Sequence, residues 1–231
     1  MNLFFQPAVS EGINHLTAEE SYHAFRVLRM SAGDDIKITD GKGVFYQAQI
    51  ISIDSKKCVF KISAQEKIPK KDYHIHIAIA PTKNADRIEW FVEKAIEIGV
   101  HEISFILCKN SERKVLNVER IEKIAVSAMK QSQQAWVPIL HPLRPLSEVL
   151  KQSADQKFIG YVDSSNPVHL KAIAKPNNSY LVLIGPEGDF STEELESAQQ
   201  LGFEKVSLGE NRLRTETAGL IACQIFQFVN T

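Results

Sequence analysis

The sequence predicts an α/β protein with a parallel sheet, preceded by a small β domain. Three observations predict it. Residues 1–70 carry runs that alternate apolar and polar side chains at the period of a strand. From His74 onward, short apolar runs take turns with stretches of helical period. In the last quarter, two glycine-bearing loops, Gly185–Ser191 and Leu208–Ala218, each follow a strand-like run (Tyr180–Ile184 and Phe203–Leu208) and each precede a helical pattern. If those strands are neighbours in one parallel sheet, both loops open on its carboxyl edge, where α/β sheets bind ligands.

The first part reads as a helix and a meander. Thr17 can cap a helix over Thr17–Met30, with Glu20 at capping-box spacing. Asp35–Thr39 alternates, Asp40-Gly41-Lys42-Gly43 offers a tight turn, and Val44–Ile53 and Lys57–Ser63 continue as strands. With no long helix to cover it, this meander closes most simply as a small barrel. Gln65–Asp72, rich in Lys, Pro and Glu, reads as a linker. The expected domains are therefore 1–70 and 73–231.

In the second domain His74–Ala80 is a strand. Ile88, Phe91, Val92, Ala95 and Ile96 then fall on one face of a helix over Asp86–Ile98, which Gly99 ends. Glu102–Cys108 is the next strand, and Val118–Gln134 the next amphipathic helix, with Ile121, Ile124, Ala125, Ala128 and Met129 inward. Lys157–Val162, Tyr180–Ile184 and Phe203–Leu208 are further strands. Ser191–Leu201 and Thr215–Val229 are helices, the former opening on a Ser191/Glu194 capping box.

The chain has 231 residues, enough for one large or two smaller domains. Three well-separated cysteines, Cys58, Cys108 and Cys223, each in an apolar run, suit reduced thiols in a cytoplasmic protein and lack metal-ligand spacing. No signal peptide or bilayer-spanning run is expected. Net charge is −1, from 27 basic and 28 acidic residues, which argues against wholesale electrostatic binding of nucleic acid. A local basic segment exists nonetheless. Lys109–Lys130 holds six basic residues against three acidic ones.

In the first loop, two glycines around Pro186-Glu187 allow close backbone approach to a ligand, and the helix start at Ser191 presents N–H groups. It is not a Walker loop, since no Lys-Ser/Thr follows the glycines. G-x-G-x-x-G is also absent. The second loop interleaves Arg212, Arg214 and Glu216 with Leu213 and Thr215, and an apolar helix follows to hold it. An ordinary helix-terminal Arg–Glu pair is the plain alternative.

Gly-Pro-Glu-Gly at 185–188, followed by Leu208-Gly209 and Leu213-Arg214-x-Glu216-Thr217-Ala218, resembles the RsmE-type 16S ribosomal RNA methyltransferases of the knotted SPOUT superfamily. The resemblance extends upstream. Arg26–Met30, Gly33-Asp34 and Asp40–Gly43 resemble the family's PUA-like domain. Asp86-Arg87, Glu93–Ala95, Glu97–Val100, Ser111–Arg113 and Gln131–Pro138 resemble its α/β motifs. Departures are Asp189 where the family has a second Gly, Arg212 for Ile, Ser127 and Lys130 for Glu, Asn84 for the Gly after Lys83, and Gln134 for Arg.

The resemblance implies a PUA-like β-barrel RNA-binding domain over 1–70. It also implies a SPOUT methyltransferase domain with a C-terminal trefoil knot over 73–231. It implies S-adenosylmethionine-dependent methylation of uridine N3 in 16S rRNA of the assembled small ribosomal subunit, by a cytoplasmic homodimer without metal. Leu183, Gly185, Pro186, Glu187, Gly188, Leu208, Gly209, Asn211, Leu213, Thr217 and Ala218 are then the expected cofactor contacts. Arg214 would stabilise negative charge on uracil, while Glu216 either orients Arg214, the favoured role, or takes the proton. Arg26, Arg29, Lys42, Arg113 and Lys114 are the expected RNA contacts. Alternatives are a SPOUT methyltransferase acting on transfer RNA and a non-catalytic RNA-binding homologue.

Overall fold

A strand that the alternation pattern did not announce, β1 (Leu3–Phe5), pairs parallel to β2 (Asp35–Thr39). The structure, a computed structural model, describes Asn2–Tyr161 and Val168–Thr231. Between β1 and β2, the Thr17 hydroxyl accepts from the Glu20 N–H at 3.2 Å and starts α1 (Ala18–Tyr22). The helix widens to a π-turn over His23–Val27 and stops there, so it is shorter than the predicted Thr17–Met30; Arg29 already has a positive φ of 54°. β3 (Val44–Ile53) and β4 (Cys58–Lys67) complete a four-stranded sheet in the order β1-β2-β3-β4. β4 runs into the expected linker because two register shifts keep Gln65 and Glu66 paired with Tyr46 and Phe45. Alternation sends Ile36, Ile38, Tyr46, Ala48, Ile50 and Phe60 into one apolar core.

The chain divides into two units, Met1–Lys70 with Val126–Val137, and Lys71–Ala125 with Pro138–Thr231. Within the first, Ala135–Val137 is laced onto the Asp40–Gly43 turn. The Ala135 carbonyl accepts from Gly43 N–H and the Thr39 hydroxyl, and Val137 N–H donates to Gly41. Trp136 Nε1 donates to the Ile68 carbonyl, and its ring lies where a side chain at residue 43 would be, 2.1 Å from an added Cβ. Gly43, at φ 95°, is therefore required twice, for its backbone angle and for its emptiness.

The second unit is a six-stranded parallel sheet. In chain order it comprises β5 (His74–Ile79), α2 (Ala85–Ile98), β6 (Glu102–Leu107), α3 (Val118–Gln131), β7 (Ile139–Pro145), α4 (Leu146–Val149) and β8 (Gln156–Gly160). There follow α5 (Leu170–Ile173), β9 (Ser179–Ile184), α6 (Thr192–Gln200), β10 (Glu204–Val206) and α7 (Thr215–Val229). The unit division falls inside α3. Strand order is β10-β8-β9-β5-β6-β7. β9 and β10 are thus not neighbours, contrary to the sequence expectation, because β8 pairs with both. β7 was not foreseen, its prolines and histidine masking the pattern. Val162, the last residue of the predicted strand that became β8, lies outside the described residues.

The central strands need cover on both faces, and their near-continuous burial shows it. Ala78, Ala80, Leu181 and Leu183 pack with Leu146, Val149, Leu195 and Ala198 from α4 and α6. On α2 the five predicted residues are all buried, and Gly99 ends the helix at φ 105°. α7 packs beside α2 and on β5 and β9, and Phe226 stacks on Tyr180 with ring centroids 4.4 Å apart. The three cysteines are buried and free, and burial pushes the Cys58 and Cys223 thiols up to about 11 and about 12. Among the described residues no helix is long and apolar enough to cross a membrane.

Candidate active site at the carboxyl edge of the sheet

The carboxyl ends of β8, β9 and β10 enclose a cavity of about 530 Å³, within the range of small-molecule sites. Eight of the expected cofactor contacts line it: Gly185, Pro186, Glu187, Leu208, Gly209, Asn211, Leu213 and Ala218. Three do not. Leu183 alternates to the opposite sheet face and packs in the α4/α6 core, so Ile184 takes its place in the wall. Gly188 is turned toward Asn110, whose amide donates to its carbonyl at 3.1 Å. Thr217 is half-buried on α7, off the turn face that Arg214 and Ala218 share.

Sequence reasoning missed Gly160 and Tyr161 in this wall. They sit at the carboxyl end of β8, and the edge rule would have found them had β8 been placed between β9 and β10. A Cβ on Gly160 would come within 3.4 Å of Leu208 Cδ1, so its bareness keeps the wall open.

The loops are held by polar ties rather than by apolar packing alone. The Thr215 hydroxyl donates to the Gly185 carbonyl at 3.0 Å, which joins the start of α7 to the first loop. Glu187 accepts from the Lys83 N–H at 3.0 Å. Ser191 and Glu194 form the predicted capping box. Asp189 adopts φ 62°, a left-handed conformation that explains a glycine at this place in the family pattern; its carboxylate accepts from Phe190 N–H at 2.9 Å. Burial raises the Asp189 pKa, against the Phe190 hydrogen bond and the nearby Arg212 charge, which lower it. Of the other departures, Asn84 caps α2 by accepting from Asp86 N–H, and Lys130 pairs with Glu20 at 2.5 Å inside the first unit.

The two expected catalytic residues differ. Arg214 lines the cavity as the N-cap of α7 and is exposed. Glu216 is 6% exposed and is not in the cavity wall. Its Oε1 lies 3.8 Å from Arg87 Nε, and its Oε2 is buried with no hydrogen-bond partner. Its ion-pair partner is thus Arg87, not Arg214.

The expected RNA contacts also divide. Arg26, Arg29, Lys42 and Lys114 are exposed. Arg113 is half-buried and spends its guanidinium on the carbonyls of Thr82 and Lys83, at 2.5 to 3.2 Å. That use is structural, tying the loop after β6 to the loop after β5.

Fold and cavity define an α/β protein that binds its ligand at the carboxyl ends of parallel strands. Residues 69–227 match the model of the RNA methyltransferase domain, and residues 16–63 that of the RNA methyltransferase PUA domain. The ribosomal RNA small subunit methyltransferase E of Buchnera aphidicola (subsp. Acyrthosiphon pisum) is 30% identical, over 92% of this chain and 86% of that one. The crystal structure of a probable rRNA-methyltransferase from Porphyromonas gingivalis superposes with a TM-score of 0.93 at 44% identity, covering 100% and 98% of the two chains. That of a ribosomal RNA small subunit methyltransferase E from Neisseria gonorrhoeae, bound to S-adenosyl methionine, gives 0.87 at 26% identity, with 100% and 98% covered. The chain belongs to the ribosomal RNA small subunit methyltransferase E family.

Proposed function

We propose that this protein transfers a methyl group from S-adenosylmethionine to N3 of a uridine in 16S rRNA. The observation that carries the reading is the union, in one cavity, of apolar walls with an exposed arginine that has no protein partner among the described residues. Ile184, Val206, Leu208, Leu213 and Ala218 suit an adenine ring, and the backbone of Gly185–Glu187 and Gly209–Asn211 offers polar groups to its edge and ribose. When bound, S-adenosylmethionine supplies a methyl group on a positively charged sulfur. The residues must do the rest. Uracil N3 carries a proton that passes to water, and its loss leaves negative charge on N3 and the flanking carbonyl oxygens. The Arg214 guanidinium, with paired donors, stabilises that charge. Holding the reactants in line supplies up to about 7–11 kcal/mol of the barrier. N3 lies on the Watson–Crick edge, so the base must be unpaired and turned out to enter.

In this reading the division into domains 1–70 and 73–231 is one of labour. The β domain docks RNA through Arg26, Arg29 and Lys42, with Lys114 on the second domain. The substrate is the assembled small subunit, the enzyme a cytoplasmic homodimer, and the methyltransferase domain carries a trefoil knot. The family's descriptions and the exposed basic residues support the docking of RNA, while the assembled substrate, the cytoplasmic homodimer and the knot rest on the family resemblance. Nucleoside mass spectrometry of 16S rRNA from cells lacking the protein is the test. Loss of one N3-methyluridine, restored by adding the protein and S-adenosylmethionine to isolated subunits, is expected. An unchanged inventory sinks the reading.

A further inference from the structure

We infer that Arg87 is a positioning residue for this reaction, acting through Glu216 on Arg214; the inference rests on the proposed function. Arg87 sits in the first turn of α2, where the helix dipole disfavours a cation. Its placement therefore needs another cause, and Glu216, 3.8 Å away in the first turn of α7, provides one. A carboxylate whose side chain is 8% exposed needs a countercharge, and the half-exposed Arg87 supplies it. Arg87 engages one oxygen only. The second, Glu216 Oε2, is buried without a partner, a state that native structures rarely tolerate. Two residues away in sequence stands Arg214, the N-cap of α7, exposed and with no side-chain hydrogen bond or ion pair among the described residues. A missing donor and an unused donor thus belong to the same helix start, two residues apart along the chain. Glu216 lies outside the cavity wall, so it acts through Arg214 rather than on the base. Arg87 fixes the carboxylate so that its free oxygen receives the Arg214 guanidinium when the substrate draws that side chain inward.

The test compares Arg87→Gln, Arg87→Lys, Glu216→Gln and the double variant Arg87→Gln/Glu216→Gln. Single-turnover methylation of isolated small subunits should fall by roughly 100-fold in Arg87→Gln, the scale of a slight misplacement. S-adenosylmethionine affinity should stay within about threefold, and Arg87→Lys should restore most of the rate. The double variant should be no slower than Glu216→Gln alone, since the two residues act as one unit. A wild-type rate in Arg87→Gln, strictly additive losses, or rate, affinity and Tm falling together would overturn the inference. Hydrogen exchange of the apo protein gives a readout free of activity. Arg87→Gln should speed exchange at Ala218, whose N–H donates to the Arg214 carbonyl, and in the turn that follows it by about tenfold or more. Unchanged exchange counts against Arg87 even if the wild-type protein methylates no uridine, an outcome that would reject the functional reading instead.

Discussion

The two edges of the parallel sheet treat polar groups in opposite ways. Toward the amino ends of β5, β6 and β7, charge is enclosed and answered. Glu102 accepts from His74 Nε2 at 2.8 Å and His141 Nε2 at 2.6 Å, His76 Nδ1 stands at 3.6 Å, and His76 Nε2 meets the Ser104 hydroxyl at 2.8 Å. His101 Nδ1 accepts from Ile75 N–H at 3.1 Å. At the carboxyl edge, Arg214 is exposed without a protein partner among the described residues and Glu216 keeps one oxygen unmatched. Both edges are rich in ionisable side chains, and residue type alone would rank the histidine cluster as the better active site. The difference lies in satisfaction. Groups that answer one another hold a fold, whereas groups left unanswered beside a cavity wait for a ligand.

The largest expected effect breaks the unsatisfied edge. Arg214→Ala should lower kcat by about 10²–10³-fold, the cost of removing one donor to developing charge. Cofactor affinity measured by calorimetry should remain within a few-fold. Lost affinity with a normal single-turnover rate would reverse the assignment.

The satisfied edge should fail with acid instead. Burial, opposed by the Glu102 charge, lowers His76 to about 4, and burial with the nearby His74 and Lys71 charges lowers His101 to about 4. Both folded values lie below the unfolded 6.5, so folding excludes these protons. The stability is present above pH 6.5 and is lost as pH falls toward 4, up to roughly 3 kcal/mol for each histidine. Glu102 is opposed by burial, yet hydrogen bonds from His74 and His141 and the His76 charge bring it to about 2, so it stays ionised across that window. Urea midpoints should drop steeply between pH 6.5 and 4.5, and His76→Gln should flatten the drop. A pH-independent midpoint would contradict this account.

Glu102→Gln sharpens the contrast from the other side. It should cost about 1–3 kcal/mol of stability, because the histidines lose a charged acceptor. The kcat of the folded protein should stay within about twofold, and a larger loss would join the two edges functionally. The smallest effect is expected at Asp189→Gly. Relief of the left-handed backbone is offset by the lost hydrogen bond to Phe190 and by a freer unfolded chain, so the melting shift should correspond to under about 1 kcal/mol.

Legibility followed the range of the forces involved. Helix α2 was readable because its period and its stop at Gly99 are local, and the inward residues read off the period are the buried ones. The loop Gly185–Ser191 and eight cavity residues were readable because a strand, a glycine and a helix cap follow one another in sequence. Leu183 and Ile184 differ by one residue, which in a strand means opposite faces, and the face that lines the cavity was not legible locally. Gly160 and Tyr161 were missed because their membership depends on strand order, a long-range fact. That Arg113 donates to the carbonyls of Thr82 and Lys83 was not legible, because those acceptors lie some thirty residues away along the chain.

By itself the sequence determined the α/β class, the cavity-forming loops and the presence of Arg214 and Glu216 in one motif, since each is written in residues close along the chain. Only the tertiary structure decided that β8 separates β9 from β10. It alone turned Glu216 away from Arg214 toward Arg87, and returned Val126–Val137 to the N-terminal unit. Those outcomes depend on packing between segments far apart in sequence, where many partners are chemically acceptable. Burial and geometry select among them.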